Sequence, residues 1–215
     1  HGRDSIAYAS LALSANGKIL ALKSDLIGNM GAYLSSGGPG VATKAFPTAL
    51  GGIYDIKHIY LRSRGVFTNT APVDAYRGAG KPEANFITER LIETAAKRLK
   101  FDPVELRRQN AIDRFPHTTA LGIQIDTGRF RANITETEQL SHRDLFEVRR
   151  KSAATQGLLR GLGFGCFLET ARGAPEEGAE IIFEHDGKIE LRLGTESNGQ
   201  GHETTFSQIA SERLG

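Results

Sequence analysis

Two Asx-Gly dipeptides constrain this chain more than any other feature. Asn16-Gly17 separates IAYASLAL from KILALKSDL, and Asp186-Gly187 separates AEIIFEH from KIELRLG. Such a pair between apolar-rich runs is the strongest short-range hairpin signal, because both central turn residues adopt positive φ. Hairpins are therefore expected over 5–25 and 179–194, with a further strand at 53–63. Helical spacing lies between and after them. Pro82 suits the first position of a helix over 82–100, with Phe86, Ile87, Leu91, Ala95 and Leu99 as its apolar stripe. Asp102-Pro103-Val104-Glu105 is a capping box that starts a second helix ending near Asn110. Helical pattern resumes over 136–155, with Leu140, Leu145, Phe146 and Val148 as buried candidates. It returns over 202–214, with Phe206, Ile209, Ala210 and Leu214. The fold class is α+β, in two successive units of hairpin sheet plus helix. A break near 112–135, holding one short strand at 121–125, divides them into 1–115 and 116–215.

Glycine is over-represented, at 25 residues where average usage gives about 15. Residues 28–40 (GNMGAYLSSGGPG) lack apolar periodicity and read as irregular, and 65–81 reads as a long ordered loop. In RGLGFGCFLE (160–169), Gly161, Gly163 and Gly165 alternate with Leu162, Phe164 and Cys166. A strand built this way leaves one face bare, open to another backbone or a ligand. A net charge of +2 with no run of like charge gives no sign of a nucleic-acid or membrane-surface partner. The single cysteine fits a reducing compartment, and cytoplasmic residence is expected. No apolar run reaches the length of a membrane span. Six histidines without helical pairing make a protein-built metal site unlikely to form. Glu176, Glu177 and Glu180 read as a solvated loop. The absence of an initial methionine and of a polar tail suggests a fragment.

Two stretches could carry chemistry. In GTESNGQGHETTFSQIASERLG (194–215), a glycine turn empties into a helix N-terminus, where unpaired N–H groups and the helix dipole favour an anion. Gln200, His202 and Thr204 add donors there. A plain tight turn is the commoner meaning of such spacing. Neither the Walker pattern nor the dinucleotide fingerprint is met. In AYRGAGK (75–81), an arginine between glycines could aim its planar fork at an oxyanion, or could simply form a surface ion pair. No nucleophile and no acid–base pair is visible.

Taken together, GVFTNTAPVDAYRGAGKPEANFITERLIETAAKRLKFDPVELRRQN (65–110), RGLGFGCFLET (160–170) and the closing stretch resemble the large subunit of the molybdenum hydroxylases. That family includes xanthine dehydrogenase, aldehyde oxidoreductase and the carbon monoxide dehydrogenase large chain. The resemblance implies a molybdopterin cofactor with molybdenum, commonly the cytosine dinucleotide, and partner subunits carrying iron–sulfur clusters and FAD. The assembled heterotrimer is expected to be able to dimerise. By position, Gly199, Gln200, Gly201, His202, Glu203 and Thr204 would contact the cofactor. Ala75 would join them from the other loop, and Tyr76, Arg77 and Gly78 would stand at the metal and substrate. Gly78 departs from the copper-dependent carbon monoxide dehydrogenases, which carry cysteine there, so an aldehyde or N-heterocycle is the expected substrate. The family's glutamate base would lie beyond Gly215 and a glycine–phenylalanine motif before His1. The excised piece is then expected to be inactive alone. The competing expectation is a non-catalytic binding or assembly module that kept the fold.

Overall fold

The computed structural model describes residues 4–169, 176–197 and 199–215, in two compact units that meet in sequence between Glu169 and Thr170. In the first unit, β1 (Ser5–Leu13) and β2 (Ile19–Gly31) form the hairpin announced by Asn16-Gly17, with Ser5 opposite Gly28 and Leu11 opposite Leu22. β3 (His58–Phe67) adds to β2 in parallel, His58 opposite Ala21, giving the order β1-β2-β3. The strand expected at 53–63 thus begins five residues later. Tyr54 instead makes an isolated bridge to Ala111.

The glycine-rich stretch is more regular than its composition implies. Its first residues prolong β2 to Gly31, and from Gly38 the chain is helical: α1 (Gly38–Gly40), one π-turn (Val41–Ala45) and α2 (Phe46–Ala49). Pro47 accounts for the widening. It has no N–H for an i→i−4 bond, and its ring would clash with the carbonyl of residue 43 in a regular helix. The Phe46 N–H accordingly reaches back to the Val41 carbonyl. Ala42's freed carbonyl accepts from Ser63 Oγ on β3 at 3.0 Å. These pieces form the crossover that parallel pairing of β2 and β3 demands.

α3 (Lys81–Leu99) has Lys81 first and Pro82 second. Its buried face is Ala84, Ile87, Thr88, Ile92 and Ala96, whereas Phe86 and Leu99 of the expected stripe point to solvent. Thr88 belongs inside because its hydroxyl donates to Ala84 O and accepts from Gly51 N, which leaves no orphaned polar atom. α4 (Pro103–Asn110) starts as expected, with the Asp102 carboxylate accepting from Val104 N and Glu105 N at 2.8 and 2.9 Å. Burial alone would raise that carboxyl, but the Arg143 guanidinium and the two helix N–H groups together hold it below the ordinary range.

Among the described residues, Arg107 is the cationic side chain buried in the interior of the first unit. Arg107 is 1% exposed and donates to Glu89 Oε2 (2.8 Å), Glu93 Oε2 (3.2 Å) and Pro103 O (2.8 Å), while Tyr54 OH donates to Glu89 Oε1. After a two-residue pair, β4 (His117–Thr118) with β5 (Gln124–Ile125), helix returns at Phe130, earlier than the expected 136. α5 (Phe130–Leu140), a 3-10 turn (Arg143–Leu145) and α6 (Phe146–Thr155) follow. Ile134 and Ala153 are the residues they bury. Leu140, Leu145 and Val148 are exposed and Phe146 is half-buried.

The alternating segment 158–169, expected as a strand, is irregular and pairs with no strand among the described residues. Its alternation is nevertheless real, since Phe164, Cys166 and Leu168 pack on the core while Gly161 and Gly163 face open space. Burial, with the Glu89 charge adding to it, pushes the Cys166 thiol up to about 11 from 9.0. At pH 8 the folded protein should hold about a hundredfold less thiolate there than the unfolded chain. Alkylation by iodoacetamide should therefore be at least tenfold slower before denaturant is added than after, as read by mass spectrometry. Equal rates would mean that Cys166 is not packed.

In the second unit, β6 (Ala179–Phe183) and β7 (Ile189–Leu193) form the hairpin around Asp186-Gly187, with Ala179 opposite Leu193. Glu180 therefore lies on β6, paired with Arg192, rather than in a loop. α7 (His202–Leu214) has the expected bounds but buries none of its residues. Phe206 and Ala210 are half-buried, and Ile209 and Leu214 are exposed. No helix among the described residues is long and apolar enough to cross a membrane.

Candidate functional site

The two motif loops fall in different units and are built independently. In the first unit, residues 68–80 leave β3 and return at α3. Asn29, at the end of β2, holds the outgoing limb: its Oδ1 accepts from Thr68 Oγ1 (2.7 Å) and Gly31 N (2.7 Å), and its Nδ2 donates to Thr70 Oγ1 (3.0 Å). Backbone bonds from Thr68 N to Gly31 O and from Ala32 N to Thr70 O continue the grip. Ser35 Oγ donates to Val73 O at 2.7 Å, and that carbonyl lies directly against Gly38. The glycine-rich stretch is thus the floor on which the loop rests.

Beyond this floor the chain turns sharply. Asp74 Oδ1 accepts from Ala75 N (2.7 Å), Ala79 N donates to Tyr76 O (2.7 Å) and Lys81 N donates to Gly78 O (3.0 Å). Gly78 and Gly80 have φ of +93° and +90°. A Cβ at Gly80 would overlap the Val41 carbonyl, the one displaced by the π-turn, and a Cβ at Gly78 would sit 2.7 Å from Pro82 Cγ. Backbone and prolyl ring therefore require glycine at both places. Arg77 stands at the apex, exposed, with no hydrogen bond or ion pair among the described residues. Tyr76 beside it is 78% exposed. The alternative of a surface ion pair for Arg77 is not what the structure shows among those residues.

In the second unit, Gly199 and Gly201 have φ of +103° and +78°, and Gly201 caps α7 without any side-chain cap. Gln200 Nε2 donates to Glu196 O (3.0 Å), which folds the turn back on itself. His202 stacks at 4.9 Å on Phe206, and its Nδ1 is buried with no hydrogen-bond partner among the described residues. A buried ring nitrogen left so is costly unless something else supplies a partner. Glu203's own backbone N–H, then Ser197 Oγ at 3.1 Å, hold its carboxyl below the ordinary value. Thr204 is exposed on the first turn. No cluster of metal-ligating side chains occurs among the described residues.

Sequence reasoning missed the braces: Asn29, Ser35 and Asp74 under the loop, and Lys81 with Glu169 beside it. Their signal was available only as the crowding of glycines at 28–40, which marks close backbone approach without naming the partner.

Fold and site define an α+β chain with two glycine loops, one with Arg77 at its apex and the other leading into the N-terminus of α7. Residues 1–111 match one family model described as a molybdopterin cofactor-binding domain, and residues 136–215 match another of the same description. The chain belongs to this family of molybdopterin cofactor-binding domains. It is 29% identical over 230 residues to the nicotine 6-hydroxylase large subunit of Paenarthrobacter nicotinovorans, across all of this chain and 28% of that protein. It is 32% identical over 237 residues to the carbon monoxide dehydrogenase large chain of Hydrogenophaga pseudoflava, across 99% and 29%. The crystal structure of quinoline 2-oxidoreductase from Pseudomonas putida 86 matches with a TM-score of 0.82 at 28% identity, covering 98% of this chain and 29% of that one. The chain thus spans less than a third of the length of these relatives.

Proposed function

We propose that the full-length protein is a molybdopterin-dependent oxidoreductase that hydroxylates a small aldehyde or N-heterocycle with oxygen drawn from water. The observation that carries this is the N-terminus of α7, which no side chain caps, beside a His202 Nδ1 that has no partner among the described residues; in the first unit, by itself, Arg77 stands at a braced apex without a partner among those residues. An anionic pterin dinucleotide fits that donor set. Backbone N–H groups of the first turn of α7 suit its phosphates, and His202 and Gln200 suit its polar edges. Glu203, already ionised and accepting, suits a donor group such as a ribose hydroxyl or pterin N–H, not a phosphate. When bound, molybdenum would supply the two-electron redox chemistry.

The chain's own contribution is orientation and electrostatics. Arg77's fork would hold an oxyanion of substrate or metal group, Tyr76 would cover it, and Ala75 and Gly78 would let backbone come close. Gly78's positive φ and the Pro82 ring behind it leave no place for a cysteine side chain, which argues against carbon monoxide as substrate. Two similar proteins carry N-heterocycles in their names, nicotine and quinoline, and this favours that substrate class. The reading includes the cytosine dinucleotide form, the iron–sulfur and FAD partner subunits, dimerisation of that heterotrimer and a cytoplasmic setting, with no nucleic-acid role. It also includes two cofactor-binding domains dividing near residue 115, and an isolated fragment without activity.

Metal and nucleotide analysis of the purified full-length protein tests the reading. Molybdenum and a pterin nucleotide in near-equal amounts are expected, and their absence would leave the non-catalytic module. In the loaded enzyme, Arg77→Ala should lower kcat/KM by about 100-fold or more while leaving metal content unchanged, the effect of removing one preorganised donor. A variant with full activity would remove Arg77 from the site.

A further inference from the structure

Lys81 and Glu169 lie outside both loops, and neither the family match nor the donor set calls on them. Lys81 is the first residue of α3, four positions beyond Arg77. Its side chain is only 12% exposed, and its ammonium forms an ion pair with the Glu169 carboxylate. Glu169 is the last residue of the first unit, the place where the chain departs for the second. It is delivered there by the segment 158–169, whose Phe164, Cys166 and Leu168 are packed into the core cluster. Tyr54, in the same core, donates to Glu89 beside Arg107. The ion pair therefore joins two fixed bodies, the braced root of the Arg77 loop and the end of a packed strap.

We propose that Lys81 and Glu169 form a positioning pair that fixes the C-terminal root of the Arg77 loop, and that the chain's exit toward the second unit is anchored through the same contact. The outgoing limb of the loop already has Asn29, Ser35 and several backbone bonds. On the return limb, the turn bonds at Ala79 and Lys81 close within the loop itself, and Gly80 rests against the Val41 carbonyl. A poorly solvated ammonium depends on its carboxylate for compensation. Losing the pair removes the side-chain link at the root and loosens the aim of Arg77, while the Gly80 contact with Val41 and the core stay intact. The consequence for catalysis rests on the cofactor reading above, but the geometry does not.

The test uses the full-length protein carrying Lys81→Met, Glu169→Gln, Lys81→Arg or the reversed pair Lys81→Glu with Glu169→Lys. Amide hydrogen exchange over 76–82 and over the β1–β2 hairpin is measured alongside molybdenum content and steady-state kinetics. The first two variants should speed exchange over 76–82 by about tenfold, while the hairpin keeps its protection. Lys81→Arg and the reversed pair should restore slow exchange. KM should rise more than kcat falls, as expected for a donor that is present but poorly held. Exchange over 76–82 within twofold of the parent overturns the proposal. So does faster exchange spread across the hairpin, or a reversed pair no better than the single variants. A parent protein without molybdenum would sink the cofactor reading alone, because the exchange result stands without it.

Discussion

Replacing Arg107 by methionine should destabilise the first unit by about 3–5 kcal/mol, the range found when one partner of a buried ion pair is removed. The cost comes less from lost attraction than from what remains. Glu89 would be left without its cation in a site where its side chain is 16% exposed, with Tyr54 as its one remaining described donor, and the Pro103 carbonyl would lose its partner. Glu93, nearly half exposed, would be resolvated and contribute little. Urea denaturation followed by circular dichroism reads this directly. Adding Glu89→Gln in the same background should recover part of the loss, because a neutral amide needs no counter-charge. If Arg107→Met cost under about 1 kcal/mol, the network would be no more than a surface ion pair in energetic terms.

The second large effect is expected at Gly80. Alanine there would hold a left-handed φ of +90° and would drive its Cβ into the Val41 carbonyl. The conformation alone costs about 1–2 kcal/mol, and the overlap, set in a packed wall, adds about 1–3 more. Either the unit loses some 3 kcal/mol of stability on that sum, or the loop swings off its floor. The two outcomes separate cleanly by experiment. In the first, the denaturation midpoint falls. In the second, the midpoint holds but Arg77 leaves its place and kcat/KM in the loaded full-length enzyme drops. A variant normal in both respects would show that the Val41 wall yields.

Legibility from sequence followed the range of the interactions. Both hairpins, the Asp102 cap and the bounds of α7 were readable because a turn dipeptide or a cap acts within three or four residues. The parallel placement of β3 was not, since nothing local in His58–Phe67 says which strand it will meet. The face of α3 was misjudged for a related reason. Large apolar residues, Phe86 and Leu99, were preferred over Ala84, Thr88 and Ala96, yet small residues are what a helix buries where backbone from Gly51 and the π-turn comes close. α7 shows the opposite error, an apolar stripe that finds little to cover it. At the candidate site, the residues proposed to face a ligand stand out as motifs, Ala75 to Gly78 and Gly199 to Thr204. The residues of the first unit that hold its loop do not, because Asn29, Ser35 and Glu169 act across some forty to ninety positions of sequence.

The π-turn at Val41–Ala45 has one further implication. A helix of this kind carries an extra residue per turn, and each residue of an ordinary helix is worth about 100° of rotation. Shortening the segment by one residue would swing α1 round relative to α2 by that angle. The carbonyl of Val41 would then no longer face Gly80. The aim of an exposed arginine is therefore set in part by the length of a buried helix some thirty-five residues before it. A single deletion there would retune the loop without touching a residue of it.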